Sequence, residues 1–317
     1  MTYDESLSCD STLGICGISS EEDTLLYKRE KKKIELYIFI DPLCPECWAF
    51  EPTLKKLFLE YGQYFSIRFF VAAQLESWNK REYQQPRVQK YLADYYDKTA
   101  SKTGMSCDGD IWFENALASP YMPSLAIKAS EMQGKQLATS FFRRIRELLF
   151  LSKQNITEEH VLLQCAEDVG LDIEEFKRDM ASPCAAKALQ CDVKTTKEME
   201  IDYAPTFVFF NDRVEDGGLK ISGLYPYQVY VDILTEMLGE RPVPSNHLSL
   251  EKFLQKYEFV ATKEVAVVFD WTEKEAEAEL KKLVLQRKIE HVPVKHGSFW
   301  KYMSTASVHS KKPSPVK

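Results

Sequence analysis

The stretch that most limits how this chain can fold is "IELYIFIDPLCPECWAF", residues 34–50. Its first eight residues are mostly β-branched and aromatic, the pattern of a buried strand. "PLCP" then turns the chain into "ECWAFEPTLKKLFLEYG", which has helical spacing and stops at Gly62. Cys44 therefore falls at a helix N-cap, with Pro45 at the first helical position, where a missing N–H leaves nothing unsatisfied. A thiolate at Cys44 would meet the helix's unpaired N–H groups and positive dipole end. Cys44 is thus expected to be the attacking sulfur and the most reactive of the eight cysteines. Cys47, one turn inward, would resolve a mixed disulfide. Glu46 opposes this, since a nearby carboxylate disfavours a thiolate, so the couple is expected to be less oxidising than one with a basic residue there. Pro52 is expected to kink the helix.

"YFSIRFFVAAQL" supplies a second strand, and residues from about 78 to 200 read as a long helical stretch. Strand character returns at "APTFVFFND", followed by a turn with Gly217 and Gly218, then "LKISG" and a helix from about Tyr227 to Leu238. The order is β-α-β, a helical block, then β-β-α. Pro205 stands just before an apolar strand that starts at Thr206, the place for a cis X-Pro bond in a tight turn. Ala204, Pro205 and Thr206 are expected to form a groove wall facing Cys44 and Cys47. A strand, a CPxC at a helix start and a late X-Pro-Thr before a strand point to an α/β, thioredoxin-like fold. The helices inserted between its halves point to the DsbA-like subgroup, over residues 34–240.

"RPVPSN", residues 241–246, is a Pro-rich break, and 241–248 reads as a linker. Beyond it "LEKFLQKYEFV" and "TKEVAVVFD" read as short helices and "WTEKEAEAELKKLVLQRK" as a longer one. "KIEHVPV" and "SFWKYM" read as two strands joined by Lys295, His296 and Gly297. Three helices and a hairpin predict a small winged-helix domain over 249–303. Its third helix opens with Glu273, Glu275, Glu277 and Glu279, which would face phosphate with like charge. Residues 249–303 carry ten Lys/Arg against nine Asp/Glu, so no specific DNA binding is expected. A structural or protein-docking module is expected instead.

The net charge of −7 argues in the same direction for the whole chain. No apolar run approaches the ~20 residues that span a bilayer, and the first residues lack a basic start and an apolar core, so a cytoplasmic protein without membrane contact is expected. Of the cysteines at 9, 16, 44, 47, 107, 165, 184 and 191, only Cys44 and Cys47 form a CxxC. A second such pair would be needed for a four-thiolate zinc site. Cys165 is expected in the core, and Cys107, Cys184 and Cys191 are read as structural. Residues 1–26 hold six acids and no Lys or Arg before "KREKKK" reverses the sign, so 1–33 is expected to be a flexible tail. Within it Cys9 and Cys16 are metal candidates two ligands short, since the first histidine is His160. No metal and no cofactor is expected. The polar residues 304–317 are expected to be disordered.

The strings "DPLCPECWAFEP", "GMSCDGDIWFE", "SPYMPSLAIKA", "KALQCDVK", "FVATKEVAVVFD" and "KHGSFWK" resemble the SpxH (YjbH) family of ClpXP adapter proteins of low-GC Gram-positive bacteria. The resemblance runs from about residue 34 to 303. It implies a binding adapter, not an enzyme, that holds the transcriptional regulator Spx and presents it to the ClpXP protease in unstressed cells. Spx and ClpXP are then the implied partners. Some members have a His-rich, zinc-binding N-terminus; this sequence departs from that pattern, keeping only Cys9 and Cys16 there. Relatives also vary at the CxxC, which implies that Cys44 and Cys47 modulate the adapter without driving it. The CxxC taken alone favours another reading, a cytosolic DsbA-like thiol-disulfide oxidoreductase acting through Cys44 and Cys47.

Overall fold

Strand β3 (Ile34–Ile40) is the spine of the computed structural model, which describes residues 8–10, 15–17, 32–72, 85–212, 217–245 and 248–303. β3 pairs in parallel with β4 (Phe65–Val71) and antiparallel with β5 (Thr206–Asn211), and β5 pairs antiparallel with β6 (Leu219–Ser222), giving the order β4-β3-β5-β6. Both faces of this sheet are covered. Ile34, Leu36, Ile38 and Ile40 enter the main core. Phe39 turns the other way and stacks on Phe70 at 5.0 Å over Val208. Burial on two sides explains why "IELYIFI" reads as a near-continuous apolar run.

Between β3 and β4 the chain forms α1 (Pro45–Ala49) and α2 (Glu51–Tyr61). The two are separated at Phe50, where Pro52 has no N–H to give the Trp48 carbonyl. The helical block follows as α3 (Pro86–Thr103), α4 (Ile111–Glu114), α5 (Tyr121–Met132), α6 (Lys135–Ser152), α7 (Glu159–Asp168), α8 (Ile173–Met180) and α9 (Pro183–Glu198). Helix α10 (Tyr227–Leu238) closes the pattern after β6. The tails expected over 1–33 and 304–317 lie outside the described residues, except for Lys32, Lys33 and a short antiparallel pair. That pair is β1 (Ser8–Asp10) and β2 (Ile15–Gly17), whose register sets Cys9 opposite Cys16.

The C-terminal segment runs α11 (Leu250–Tyr257), β7 (Phe259–Ala261), α12 (Thr262–Val268), α13 (Glu273–Leu285), β8 (Ile289–Pro293) and β9 (Ser298–Tyr302). β7 was missed by sequence pattern, which ran "EFV" on as helix. It forms because Val260 finds Trp300 across the antiparallel β7–β9 ladder, a partner forty residues away. A local core of Phe253, Leu254, Val265, Ala276, Leu280 and Trp300 holds these elements. Thr272 Oγ1 accepts the Glu275 N–H at 3.2 Å and Glu275 Oε2 accepts the Thr272 N–H at 2.8 Å, so one acid of the glutamate run is spent on capping α13.

This segment is locked onto the first by buried charge. Glu264 of α12 is fully buried; its oxygens accept from the Ala261 N–H at 2.7 Å, from Arg143 of α6 at 3.1 Å twice, and from Lys55 of α2. Arg143 also reaches Glu147 at 2.8 Å and Glu51 at 3.3 Å, and Arg146 reaches Glu51 at 2.5 Å. Three cations thus meet three carboxylates. Burial alone would push the Glu264 carboxyl up, but Arg143 and then Lys55 outweigh it and hold it below its ordinary range. Glu51 is likewise brought to about 2 by Arg146, Lys55 and Arg143, against its burial. Around the cluster the main core extends across the junction to include Ala261 and Phe299.

Replacing Glu264 by Gln keeps the volume and an acceptor but leaves Arg143 and Lys55 with excess buried charge. We expect a loss of about 3–5 kcal/mol, the scale for breaking a buried ion pair from one side. Urea unfolding reads it; a loss below about 1 kcal/mol would show that the network is not under this constraint.

Candidate functional site

Helix α1 sets the two cysteines against the loop before β5. Cys44 is the N-cap: its Sγ accepts the Cys47 N–H at 3.4 Å, and its own N–H donates to the Asp41 carbonyl at 3.1 Å. The Cys44 thiol donates to the carbonyl of Ala204 at 3.3 Å, and the Ala204–Pro205 peptide bond is cis. Thr206 Oγ1 donates to the Tyr203 carbonyl and bonds the Ser222 hydroxyl, each at 2.7 Å, and Gly223 N–H donates to the Pro205 carbonyl at 2.8 Å. The structure therefore brings Cys44, Cys47, Ala204, Pro205 and Thr206 into one place. Chemically, the site offers a half-buried thiol, a buried one and a backbone carbonyl edge.

The two sulfurs differ in environment. Cys47 is buried, and burial, followed by the neighbouring Cys44, pushes its thiol well up. Beneath it lies Asp41, whose N–H donates to Cys47 Sγ at 3.5 Å and whose Oδ1 accepts the Leu43 N–H at 2.8 Å. Burial pushes the Asp41 carboxyl up to about 6, the Leu43 N–H opposing. Sequence reasoning passed over Asp41. The signal was an acid directly after a strand whose last three residues are all buried, just before Pro42.

An outer wall completes the site. Tyr203 donates its hydroxyl to Glu46 Oε2 at 2.7 Å, and Tyr96 donates to the Leu43 carbonyl at 2.7 Å. Trp48, next to Cys47, is fully buried. Its Nε1 donates to the Ser106 carbonyl at 2.9 Å, its ring stacks on Phe299 at 6.2 Å and 7°, and the Arg143 guanidinium lies 4.3 Å from its centroid. The β8–β9 turn grips the same neighbourhood. Lys295 Nζ bonds Asp97 at 3.2 Å and both Asp108 and Asp110 at 3.0 Å, and the His296 N–H donates to Ser106 Oγ at 3.2 Å.

Of the remaining cysteines, Cys165 lies in the core as expected, and the three read only as structural divide between core and surface. Cys165 and Cys107 are buried, and burial pushes both thiols up. Cys184 and Cys191 are exposed on α9, not core thiols, because the face that α9 buries is Ala185, Leu189 and Asp192. The side chains of Cys9 and Cys16 lie outside the description. Among the described residues no group of three His, Cys, Asp or Glu could hold a metal, and no helix is long and apolar enough to cross a membrane.

Comparison with known proteins decides the family. The thioredoxin family model matches residues 37–232, which spans both cysteines and the cis-Pro loop. The ClpXP adapter protein SpxH of Halalkalibacterium halodurans is 54% identical, covering 95% of this chain and 99% of its own. That of Bacillus subtilis is 50% identical, covering 87% and 92%. This chain belongs to the SpxH family. A protein disulfide isomerase candidate from Nitrosomonas europaea superposes with a TM-score of 0.55 at 15% identity, over 66% of this chain and 97% of its own; it shows the fold alone. It is an α/β thioredoxin-like, DsbA-like fold with inserted helices. The SpxH relative from Halalkalibacterium halodurans extends past the thioredoxin match, so the C-terminal segment is part of the family's architecture.

Two measurements follow from this geometry. Alkylation of the reduced native protein near neutral pH should label Cys44, Cys184 and Cys191, while Cys47, Cys107 and Cys165 react only on unfolding. Labelling of Cys47 ahead of Cys44 would reverse their roles. Asp41 should also make stability pH-dependent. Its carboxyl sits above the ordinary value of 3.8, so the stability it contributes is full below that value and is lost as pH rises through about 6. That displacement is worth about 3 kcal/mol for a sealed group and about 2 for one that partly reaches water. Asp41→Asn, which keeps the Leu43 contact, should therefore stabilise the protein by about 2 kcal/mol at pH 8 and by nothing at pH 3.5. Equal urea midpoints for the two proteins at pH 8 would contradict this.

Proposed function

We propose that this chain is an adapter that binds the transcriptional regulator Spx and promotes its degradation by ClpXP in the cytoplasm. The observation that carries the reading is 54% identity to a ClpXP adapter protein SpxH over 95% of the chain, both segments included. The site is compatible with it. A groove that holds a polypeptide against the Ala204 carbonyl performs the step an adapter needs, and no electron has to move.

We read residues 34–240 as the DsbA-like domain, 241–248 as a linker and 249–303 as a winged helix with a structural or docking role. Two features support a role without DNA. The turn that would form the wing is engaged by Asp97, Asp108 and Asp110. On helix α13, Lys281 and Lys282 are paired with Glu277 and Glu279, and Glu273 pairs with Lys263 of α12.

A second reading, thiol-disulfide exchange, is favoured by one observation: Cys44 caps a helix against the cis-Pro loop beside a buried Cys47. Here the thiolate of Cys44 would attack a substrate disulfide, and Cys47 would displace the substrate thiol to leave a Cys44–Cys47 disulfide. The Cys44→Ser/Cys47→Ser variant separates the readings. An adapter should keep its Spx affinity to within roughly threefold, under 1 kcal/mol, and most of its stimulation of Spx decay by ClpXP under reducing conditions. Complete loss of stimulation in the folded variant, with Spx trapped as a mixed disulfide on Cys44 of the Cys47→Ser variant, would make it an oxidoreductase.

A further inference from the structure

The rim around Cys44 has a character that neither the fold nor thiol exchange requires. Glu46 stands between the cysteines, half-buried, with its carboxylate receiving the hydroxyl of Tyr203 at 2.7 Å. Tyr203 is 46% exposed, and its phenol lies near enough to Tyr95 for each to act on the other. One helical turn before Tyr95, on the same face of α3, Tyr91 is 69% exposed. A strip of three tyrosines therefore leads to one carboxylate and to the Ala204 carbonyl that faces Cys44 at 3.3 Å.

Among the described residues, three features beside Cys44 accept or attract positive charge. Glu46 and the Ala204 carbonyl are acceptors, and the tyrosine faces carry negative potential. The field at the phenols agrees: after burial, Cys44 and Glu46 weigh most on Tyr95, and Glu46 weighs most on Tyr203, each pushing the phenol up. Of the exposed bases of α3, Lys90, Lys98 and Lys102 lie with Asp94 on the neighbouring row, and Arg87 stands on the tyrosine row two turns from Tyr95, away from Glu46. An apolar segment laid on the rim would desolvate Glu46 without a new partner. An acidic one would meet like charge. A guanidinium or ammonium group alone answers all three features, donating to the carboxylate and carbonyl and lying over a ring.

We propose that this rim is the docking site for an arginine- or lysine-bearing segment of the protein that the chain delivers, with Glu46 and Tyr203 setting the preference. The proposal rests on the adapter reading and names the chemistry of its cargo site. Glu46 is the anchor. Tyr203 positions it and supplies a ring, so Tyr203→Phe should weaken binding less than Tyr203→Ala.

Titration of Spx into the full-length protein at several salt concentrations tests this, alongside two peptides followed by the amide resonances of Glu46 and Ala204. The peptides are acetyl-Gly-Arg-Phe-Gly-amide and its Glu-for-Arg counterpart. Glu46→Gln should weaken Spx binding about tenfold, the scale of one hydrogen bond to a charged group, and flatten its salt dependence. Glu46→Lys should weaken it further, and the arginine peptide should shift the two resonances more than the glutamate peptide. Unchanged affinity and salt dependence in Glu46→Gln, with no peptide preference, would overturn the proposal while leaving the adapter reading intact. A wild-type protein that ignores Spx yet prefers the arginine peptide through Glu46 would retire the adapter reading and support the rim's preference for cations.

Discussion

The ion cluster centred on Glu264 is the constraint from which the arrangement of the two segments follows. A carboxylate removed from water loses solvation worth several kcal/mol, and its partners return this only when geometry is close to ideal. Here Arg143, Lys55 and the Ala261 N–H all converge on it. Such a cluster adds little net stability compared with an apolar contact of the same size. Its effect is selectivity: a shift of α12 along α2 would strand a charge in the core, so only one register survives. That register sets Phe299 on the indole of Trp48.

From Trp48 the constraint passes to the functional face. The indole follows Cys47 directly in α1, and its N–H is taken by the Ser106 carbonyl. The loop that carries Ser106 is held from the other side by His296 and Lys295. Arg146 extends the same network by donating to the Cys47 carbonyl at 3.4 Å. Helix α1 is therefore fixed by charge, stacking and a hydrogen bond, all supplied by distant residues. A site built this way changes little in shape when a partner arrives, which lowers the ordering cost of binding.

Much of this was legible in the chain, for identifiable reasons. The strand, the CPxC turn and the X-Pro-Thr before β5 announce themselves through local period and local turn chemistry, which need no tertiary information. What failed depends on tertiary context. Cys184 and Cys191 look apolar to a pattern, yet the buried face of α9 includes Asp192, which bonds Lys128 at 2.7 Å and the Val71 N–H at 2.9 Å. The buried ion pair takes up part of the inward face of α9, beside Ala185 and Leu189. Glu264, Lys55 and Arg143 were invisible for the same reason, since charged side chains are read as surface until their partners are known. β7 needed Trp300, and Asp41 needed the helix packed above it.

The rigidity of the junction bears on what an adapter is for. Adapters raise the local concentration of a substrate at a protease, and the gain depends on holding two partners at a workable separation. A flexible hinge between segments would dilute that gain and add an ordering cost to each encounter. In this chain the Cys44 rim and the C-terminal segment share Trp48, one contributing the helix it stands on and the other the ring it stacks against. A partner seated on the rim is thereby placed at a set distance and angle from anything that meets the outer surface of α13. An enzyme of this fold needs only the first of those surfaces, because exchange ends when the substrate leaves. The buried charge at the junction is what gives the second surface a fixed position.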